Sequence, residues 1–232
     1  MKKTEWLKNY FTKAEKLLWM FSVIGIISAF FIFDGNNCIT LTASLIGVTS
    51  LIFNAKGNPI GPFLMIIFSA LYGFISYTFS YFGEMATYLG MTAPMAFWAL
   101  ISWLKNPYNG NKAEVKINRI SKKEYFFMWI ATVIVTVIFY FILANFHTAN
   151  IIPSTVSVTT SFLAAYLTFR RSPYFAIWYA ANDIVLIVLW TLAALEYSSY
   201  VSVIVCFAAF LVNDIYGFLN WRKMEERQAV ML

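Results

Sequence analysis

Eight long apolar runs occupy most of this 232-residue chain and limit the folds open to it. A membrane-spanning helix needs about 20 predominantly apolar residues. Hydrophobic residues make up 60% of the sequence and charged residues 12%, whereas soluble domains are about 45–50% apolar and about 25% charged. The sequence therefore predicts an all-α integral membrane protein with eight transmembrane helices. The runs are approximately residues 17–33, 38–53, 62–82, 88–104, 125–146, 153–169, 174–195 and 199–220.

The positive charges are confined to every second connection between these runs. All 17 lysine and arginine residues lie before the first run, after the eighth, or in the connections that follow the second, fourth and sixth runs. The other connections contain Asp34, Glu84, His147 and Glu196. Because cytoplasmic loops of membrane proteins are enriched in lysine and arginine, this pattern predicts that both termini are cytoplasmic.

The two halves of the chain resemble each other weakly. A Glu-x-x-x-Tyr element occurs at 84–88 and again at 196–200, and each half ends in a run closed by a tryptophan and a cation, at Trp103 and Trp221. Three runs in each half, with one connecting helix between them, predict a 3+1+3 parallel-repeat core plus one N-terminal extra helix. Repeats of this kind have their substrate site between the halves, near the bilayer midplane.

This interpretation divides the chain into five parts. Residues 1–36 form an amphipathic lead and the extra helix, and 37–105 the first three-helix repeat. Residues 106–150 form a basic loop and the connector helix, 151–222 the second repeat, and 223–232 a C-terminal tail.

The seventh run contains polar side chains that are costly inside a bilayer. Trp178 and Asn182 are four residues apart and share a helix face, and Asp183 follows directly. A carboxylate at the centre of a membrane helix costs roughly 2.5–3.5 kcal/mol on insertion scales. We therefore expect these residues to line a polar cavity that accepts a small aromatic solute with hydroxyl groups.

Other runs contribute further candidate contacts. In the eighth run, Asn213 precedes Asp214, and Tyr216 lies one turn on. The first half supplies a milder set that includes Tyr72 and Trp98. An alternative is that the asparagines only bond one helix to another, at about 0.6 kcal/mol each. Asp214 fits a gate or an anchor as well as a ligand contact.

Motifs of several enzyme and cofactor classes are absent from the sequence. It has no phosphate-cradling glycine loop, no cluster with metal-ligand spacing and no nucleophile elbow. We therefore predict no catalytic residue, no metal and no cofactor. No apolar run contains lysine or arginine, so a phosphate has no partner inside the bilayer, and the expected solute is neutral or cationic. A membrane enzyme or sensor is the rival class, but catalysis needs an activated group beside an acid–base pair.

The sequence resembles the PnuC family of bacterial transporters for nicotinamide riboside and related vitamin or nucleoside compounds. The resemblance covers nearly the whole chain and is strongest from Arg170 to Arg222. Its motifs are Arg170-Arg171, Trp178 with Asn182, Tyr200, Asn213 with Tyr216-Gly217, and Trp221, with Asn58, Gly61, Tyr72, Pro94 and Trp103 in the first half.

This resemblance implies a fold similar to the SWEET sugar transporters, in the bacterial cytoplasmic (inner) membrane. It also implies facilitated diffusion, a cytoplasmic kinase that traps the solute by phosphorylation, and a homotrimer. Matched by motif, Trp178 and Asn182 would contact the ligand. At Phe175, by contrast, riboside transporters of the family have a tryptophan, so the match is incomplete at this position.

We therefore predict a facilitator of vitamin-precursor or nucleoside uptake, with nicotinamide riboside as the first choice. The predicted substrate contacts are Trp178, Asn182, Asp183, Asn213, Tyr216, Tyr72, Trp98 and Phe175. A deoxynucleoside or thiamine facilitator remains an alternative. So does a proton-coupled symporter on the same scaffold, with Asp183 or Asp214 as the titrating group.

Overall fold

The chain folds into a bundle of long helices in a computed structural model, which describes residues 10–78, 82–148 and 150–230. In the described residues, seven helices are long and apolar enough to cross a membrane, which confirms the prediction of a helical membrane protein. Residues 1–9, which include most of the predicted amphipathic lead, lie outside the described residues. The helices are α1 (Lys13–Ala29), α2 (Cys38–Ala55), α3 (Ile60–Thr78), α4 (Phe82–Thr87), α5 (Ala93–Lys105), α6 (Lys122–Asn145), α7 (Ile151–Phe169), α8 (Phe175–Ala194) and α9 (Val201–Val230).

The fourth apolar run is part of a longer helical element. It is helical from Phe82 to Lys105, because a wider π-helical turn at Tyr88–Thr92 joins α4 to α5. Pro94 lies in the first turn of α5, directly after this wide turn. A proline lacks an amide hydrogen and cannot make the usual helix hydrogen bond, and the neighbouring π-helical turn is a place where a helix accommodates such a break.

Two groups of three helices pack against each other. In the first group α2 packs on α3 and α3 on α5, and in the second α7 packs on α8 and α8 on α9. The groups meet crosswise, because α2 packs on α9 while α5 packs on α7. The remaining long helices lie outside these groups, with α1 against α2 and α9, and α6 against α7.

Two buried tryptophans make equivalent hydrogen bonds between the groups. The indole Nε1 of Trp103, in α5, donates to the carbonyl oxygen of Thr168 at the end of α7, at 2.8 Å. The indole Nε1 of Trp221, in α9, donates to the carbonyl oxygen of Asn54 at the end of α2, at 2.7 Å. Each group therefore uses its third helix to satisfy a carbonyl at the C-terminal end of the other group's first helix.

The residues preceding these tryptophans repeat the arrangement. The Ser102 hydroxyl donates to the Phe169 carbonyl at 2.8 Å, and the Asn220 amide donates to the Ala55 carbonyl at 2.7 Å. These contacts close the end of the bundle where the lysine- and arginine-bearing connections lie. We call this the basic end, and the opposite end, whose connections lack lysine and arginine, the lysine-free end.

A small β-hairpin, which was not predicted from the sequence, lies at the basic end. Strands β1 (Pro107–Tyr108) and β2 (Asn111–Val115) pair antiparallel within the basic loop. The side chain of Gln228 donates to the Val115 carbonyl at 3.1 Å and accepts from the Ile117 amide at 2.8 Å. The last helix therefore runs to Val230, well past the predicted end of its apolar run, and residues 223–230 are helical.

The extra helix α1 is attached to the basic end through Glu15, whose side chain is only 1% exposed. Its carboxylate accepts hydrogen bonds from Lys56 Nζ at 3.1 Å, from the Tyr216 hydroxyl at 3.0 Å and from the Thr12 amide at 2.7 Å. Lys56 also lies 4.8 Å above the ring of Tyr10. Burial raises the pKa of the Tyr10 phenol, which keeps its hydroxyl proton available as a hydrogen-bond donor.

We predict that Gly61→Ala destabilises the protein. A Cβ at this position would lie 2.1 Å from the Asn54 Oδ1 atom and 2.7 Å from the Asn54 backbone nitrogen. Because the second of these is backbone, α2 and α3 must move apart, at a cost of about 1–3 kcal/mol. Thermal unfolding of the detergent-purified protein measures the effect. Gly90→Ala is the control, since a Cβ there meets nothing within 4 Å, and equal stability of both variants would contradict the prediction.

Candidate functional site

A small polar cavity lies where the two helix groups meet. Its volume is about 40 Å³, comparable with one or two water molecules. Aromatic and aliphatic side chains, among them Phe68 and Phe210, form part of its wall. Its polar lining residues are Glu84, Thr87, Tyr88, Thr92, Ser157, Ser161, Tyr179, Asn182, Asp183 and Asp214.

The side-chain amide of Asn182 is held in one orientation by α7. Its Oδ1 atom accepts hydrogen bonds from the Ser157 hydroxyl at 3.0 Å and the Thr160 hydroxyl at 2.9 Å. In this orientation the amide oxygen faces the two hydroxyl groups of α7, which can donate to it. No hydrogen bond from the Nδ2 group to a residue in the described ranges is present. This group is therefore a free donor in the lining of the cavity.

Two carboxyl groups line the same cavity. Asp183 and Asp214 are 4% exposed and are close enough to share a hydrogen bond through a proton. The Asp183 Oδ2 atom is fully buried, and no amide, hydroxyl or cationic donor in the described part of the chain bonds to it. A buried acceptor of this kind costs about 1–3 kcal/mol unless something bonds to it. Asn182 and Asp183 thus contribute a donor and an acceptor to one cavity lining.

Glu84 is a member of the cavity lining that we did not identify from the sequence. We expected it in a connection at the lysine-free end, but it lies in α4 and is 8% exposed. It also lines a second cavity, of about 230 Å³, near His147 and Glu196. The polar residues before the fourth apolar run looked like a loop because the helix starts six residues earlier than the hydrophobic stretch.

Six of the eight predicted ligand contacts lie outside the lining of the central cavity, and three of these are the aromatic residues Trp178, Phe175 and Trp98. The Trp178 ring packs edge-to-face against Trp129 of α6, with 5.8 Å between the centroids. Phe175 is 1% exposed and packs against Trp221 at 4.9 Å. Trp98 is 55% exposed on the outer surface of α5. Their roles as ligand contacts stay predictions, because in this conformation the rings of Trp178 and Phe175 contact other helices and Trp98 faces outward.

The other predicted contacts have protein partners nearby. Asn213 Nδ2 donates to the Ser22 hydroxyl of α1 at 2.9 Å, and the Tyr216 hydroxyl donates to Glu15 of the same helix. Tyr72 is 4% exposed, and its ring contacts that of Tyr88 with 4.7 Å between the centroids. Tyr88 lines the central cavity, so Tyr72 lies one ring away from it.

Comparisons with known proteins agree on one family. The profile of the nicotinamide mononucleotide transporter family matches residues 37–223. A nicotinamide riboside transporter PnuC from Neisseria mucosa is 26% identical over 217 residues, which are 91% of this chain and 82% of that protein. A nicotinamide riboside transporter PnuC from Haemophilus influenzae is 23% identical over 191 residues, 82% of this chain and 81% of the relative.

The fold also matches a solved structure. The crystal structure of the vitamin B3 transporter PnuC superimposes on this chain with a TM-score of 0.82, at 23% sequence identity. The match covers 98% of this chain and 100% of the solved one. The likeness therefore extends over nearly the whole bundle.

We predict that the double variant Ser157→Ala/Thr160→Val is less stable than the native protein. Both donors to the Asn182 Oδ1 atom are removed, and two buried hydrogen bonds contribute about 1–3 kcal/mol together. Thermal unfolding in detergent is the measurement. Thr155→Val is the matched control, because its hydroxyl bonds only to its own helix at the Ile151 carbonyl. A double variant as stable as this control would refute the proposed hydrogen bonds between α7 and Asn182.

Proposed function

We propose that this chain, which belongs to the nicotinamide mononucleotide transporter family, carries nicotinamide riboside across the cytoplasmic membrane by facilitated diffusion. The names of the Neisseria mucosa and Haemophilus influenzae relatives support the choice of solute. The proposed route runs through the cavity between the two helix groups, and the proposed binding site contains Asn182 and Asp183.

The observation that carries this proposal is that one cavity lining contains both the Asn182 donor and the Asp183 acceptor. A primary carboxamide, as on the nicotinamide ring, has a carbonyl that accepts and an NH₂ group that donates. Asn182 Nδ2 would donate to that carbonyl, and Asp183 Oδ2 would accept from the NH₂ group. Tyr88 and Tyr179, which line the same cavity, would supply aromatic faces for the ring. Base–aromatic stacking contributes about 1–3 kcal/mol in other proteins.

The charge of the lining supports a cationic solute over an anionic one. The cavity has three carboxyl-bearing residues, Glu84, Asp183 and Asp214, and its lining includes no lysine or arginine. Nicotinamide riboside carries a positive pyridinium ring. The corresponding mononucleotide adds a phosphate, which needs cationic or amide donors for binding. We therefore favour the riboside as the transported species.

We also propose eight membrane spans arranged as two parallel repeats. The helical element Phe82–Lys105 counts as the eighth span, in addition to the seven long apolar helices. The matched hydrogen bonds of Trp103 and Trp221 support a repeat that places residues 37–105 opposite 151–222, with 106–150 as the connector. A repeat of this kind, similar to that of SWEET transporters, allows alternating access when one group rocks against the other.

Rocking is needed because the central cavity is too small for the solute. Binding sites for small molecules usually measure about 300–1,000 Å³, against about 40 Å³ for this cavity. We propose that the groups separate around Asn182 and Asp183 when the solute enters. Trp178, one turn from Asn182 on the same helix, would join the site in such an opened form, together with Phe175 and Tyr72.

We also propose how the protein is oriented in the membrane and which partners it has. The basic end would face the cytoplasm, in keeping with the distribution of lysine and arginine, so both termini would be cytoplasmic. Facilitated diffusion has no driving force of its own, and a cytoplasmic kinase would trap the solute by phosphorylation. A homotrimer is proposed, with the largely exposed apolar surface of α6 available to other subunits or to lipid.

A proton-coupled symporter is the second candidate, favoured by the two neighbouring carboxyl groups of Asp183 and Asp214. Uptake against a concentration gradient in vesicles, driven by a pH gradient and without any kinase, would select it.

A deoxynucleoside or thiamine facilitator would instead be selected by a ligand panel. In that panel, the true ligand stabilises the detergent-purified protein against heat in proportion to the logarithm of 1 + [L]/Kd, where [L] is the ligand concentration.

We predict that Asn182→Ala weakens nicotinamide riboside binding at least tenfold, about 1.4 kcal/mol. The variant loses the donor to the carboxamide carbonyl. Isothermal titration calorimetry of the purified protein measures the affinity. Asn220→Ala is the control, because that amide bonds to the Ala55 carbonyl at the basic end and its loss is expected to lower stability without changing affinity.

The two outcomes separate clearly. Affinity that falls only in Asn182→Ala supports the proposed site. Native affinity in Asn182→Ala, with the protein still folded, would overturn it.

A further inference from the structure

We infer that a cavity at the lysine-free end is a second binding site, which captures a flat cationic heterocycle before it reaches the central cavity. This inference rests on the proposed function, since it names an earlier step on the same route. The cavity has a volume of about 550 Å³ and lies among the ends of α1, α2, α3, α8 and α9. We call it the outer vestibule. Its volume is in the range of small-molecule sites.

Aromatic rings form a large part of its wall. Trp190 and Tyr72 are 6% and 4% exposed and line the vestibule together with Tyr200. The rings of Trp190 and Tyr200 are 5.2 Å apart between centroids. A ring of the solute could stack on these faces, and a positive charge on it would gain a cation–π interaction of about 0.5–2 kcal/mol.

The charge of the vestibule is negative and uncompensated by lysine or arginine. Its lining includes the carboxylates of Asp34 and Glu196 and no cationic residue. Neither takes part in an ion pair in residues 10–78, 82–148 and 150–230, whose salt bridges all lie at the basic end. Such a field raises the local concentration of a cation and lowers that of a phosphorylated, anionic analogue.

Two buried hydroxyl groups point to a polar ligand as well. Tyr72 and Ser76 are one turn apart on α3, are 4% and 3% exposed, and both line the vestibule. No hydrogen bond from either hydroxyl to a described residue is present. A solute with ribose hydroxyls or an amide would satisfy them, whereas a purely apolar occupant would leave them unbonded.

The vestibule and the central cavity lie in series. Tyr72 belongs to the vestibule wall and Tyr88 to the central cavity, and their rings are in contact at 4.7 Å between centroids. The contacting rings of Tyr72 and Tyr88 therefore lie between the two spaces. In the proposed route, these two rings move apart when a cation passes from the vestibule towards Asn182 and Asp183.

The test is the concentration dependence of nicotinamide riboside uptake by cells that lack their own riboside transporter. The double variant Asp34→Asn/Glu196→Gln is compared with the native chain at equal amounts of membrane protein. We expect KM to rise roughly three- to tenfold with little change in the maximal rate, because capture is weakened while the central site is intact. Raising the salt concentration should increase KM of the native protein and have a smaller effect on the variant.

Two controls make the result specific to charge at this site. Glu226→Gln removes one exposed carboxylate at the basic end and should leave KM unchanged. The neutral, reduced riboside has the same ring framework without the positive charge, so its ability to compete for uptake should be equal in the native chain and the double variant.

The failures of the two proposals are distinguishable. If the native chain neither takes up nor binds nicotinamide riboside, the proposed function is wrong. If it takes up the riboside and the double variant shows the native KM at low and high salt, the vestibule site alone is overturned.

Discussion

Two hydroxyl groups of α7 determine the chemistry at the centre of this bundle. Ser157 and Thr160 face Asn182 Oδ1, so the Nδ2 donor and the Asp183 Oδ2 acceptor stay without such partners in the lining of the same cavity. Polar groups inside a bilayer need internal partners, trapped water or a guest molecule. In the proposed mechanism, this donor and this acceptor bind the solute.

The bundle is closed more tightly at one end than at the other. At the basic end, Trp103 and Trp221 each connect one helix group to the other through a buried hydrogen bond, and Glu15 fastens the extra helix there. At the lysine-free end there are cavities of about 550 and 230 Å³, and the second shares Glu84 with the small central cavity. A cavity of about 590 Å³ at the basic end lies between the β-hairpin and the end of α9, and none of its lining residues lines the central cavity. The crosswise packing thus closes the bundle at the basic end, and the cavities next to the central one lie at the lysine-free end. This asymmetry fits a carrier that opens on alternate sides of the membrane.

Much of this arrangement could be predicted from the sequence, because hydrophobic length and the cost of burying charge are local properties. The long apolar runs identified most helices. Asn182 and Asp183 line the central cavity, and their role as substrate contacts stays a prediction. Periodicity could not say which neighbour a helix face meets, so the contact of Trp178 with Trp129 was not foreseen. Glu84 was missed because its helix begins in polar sequence. The extension of α9 to Val230 was missed because charged residues mark the end of a membrane span, yet a helix can continue through them in water.

An experimental structure of the protein with nicotinamide riboside bound tests the central claim most directly. We expect the carboxamide to lie between the two helix groups, with its carbonyl within hydrogen-bond distance of Asn182 Nδ2 and its NH₂ group facing Asp183, in a cavity much larger than 40 Å³. A solute bound elsewhere in the bundle, or an Asn182 amide that still faces a closed cavity while the solute is bound, would contradict it.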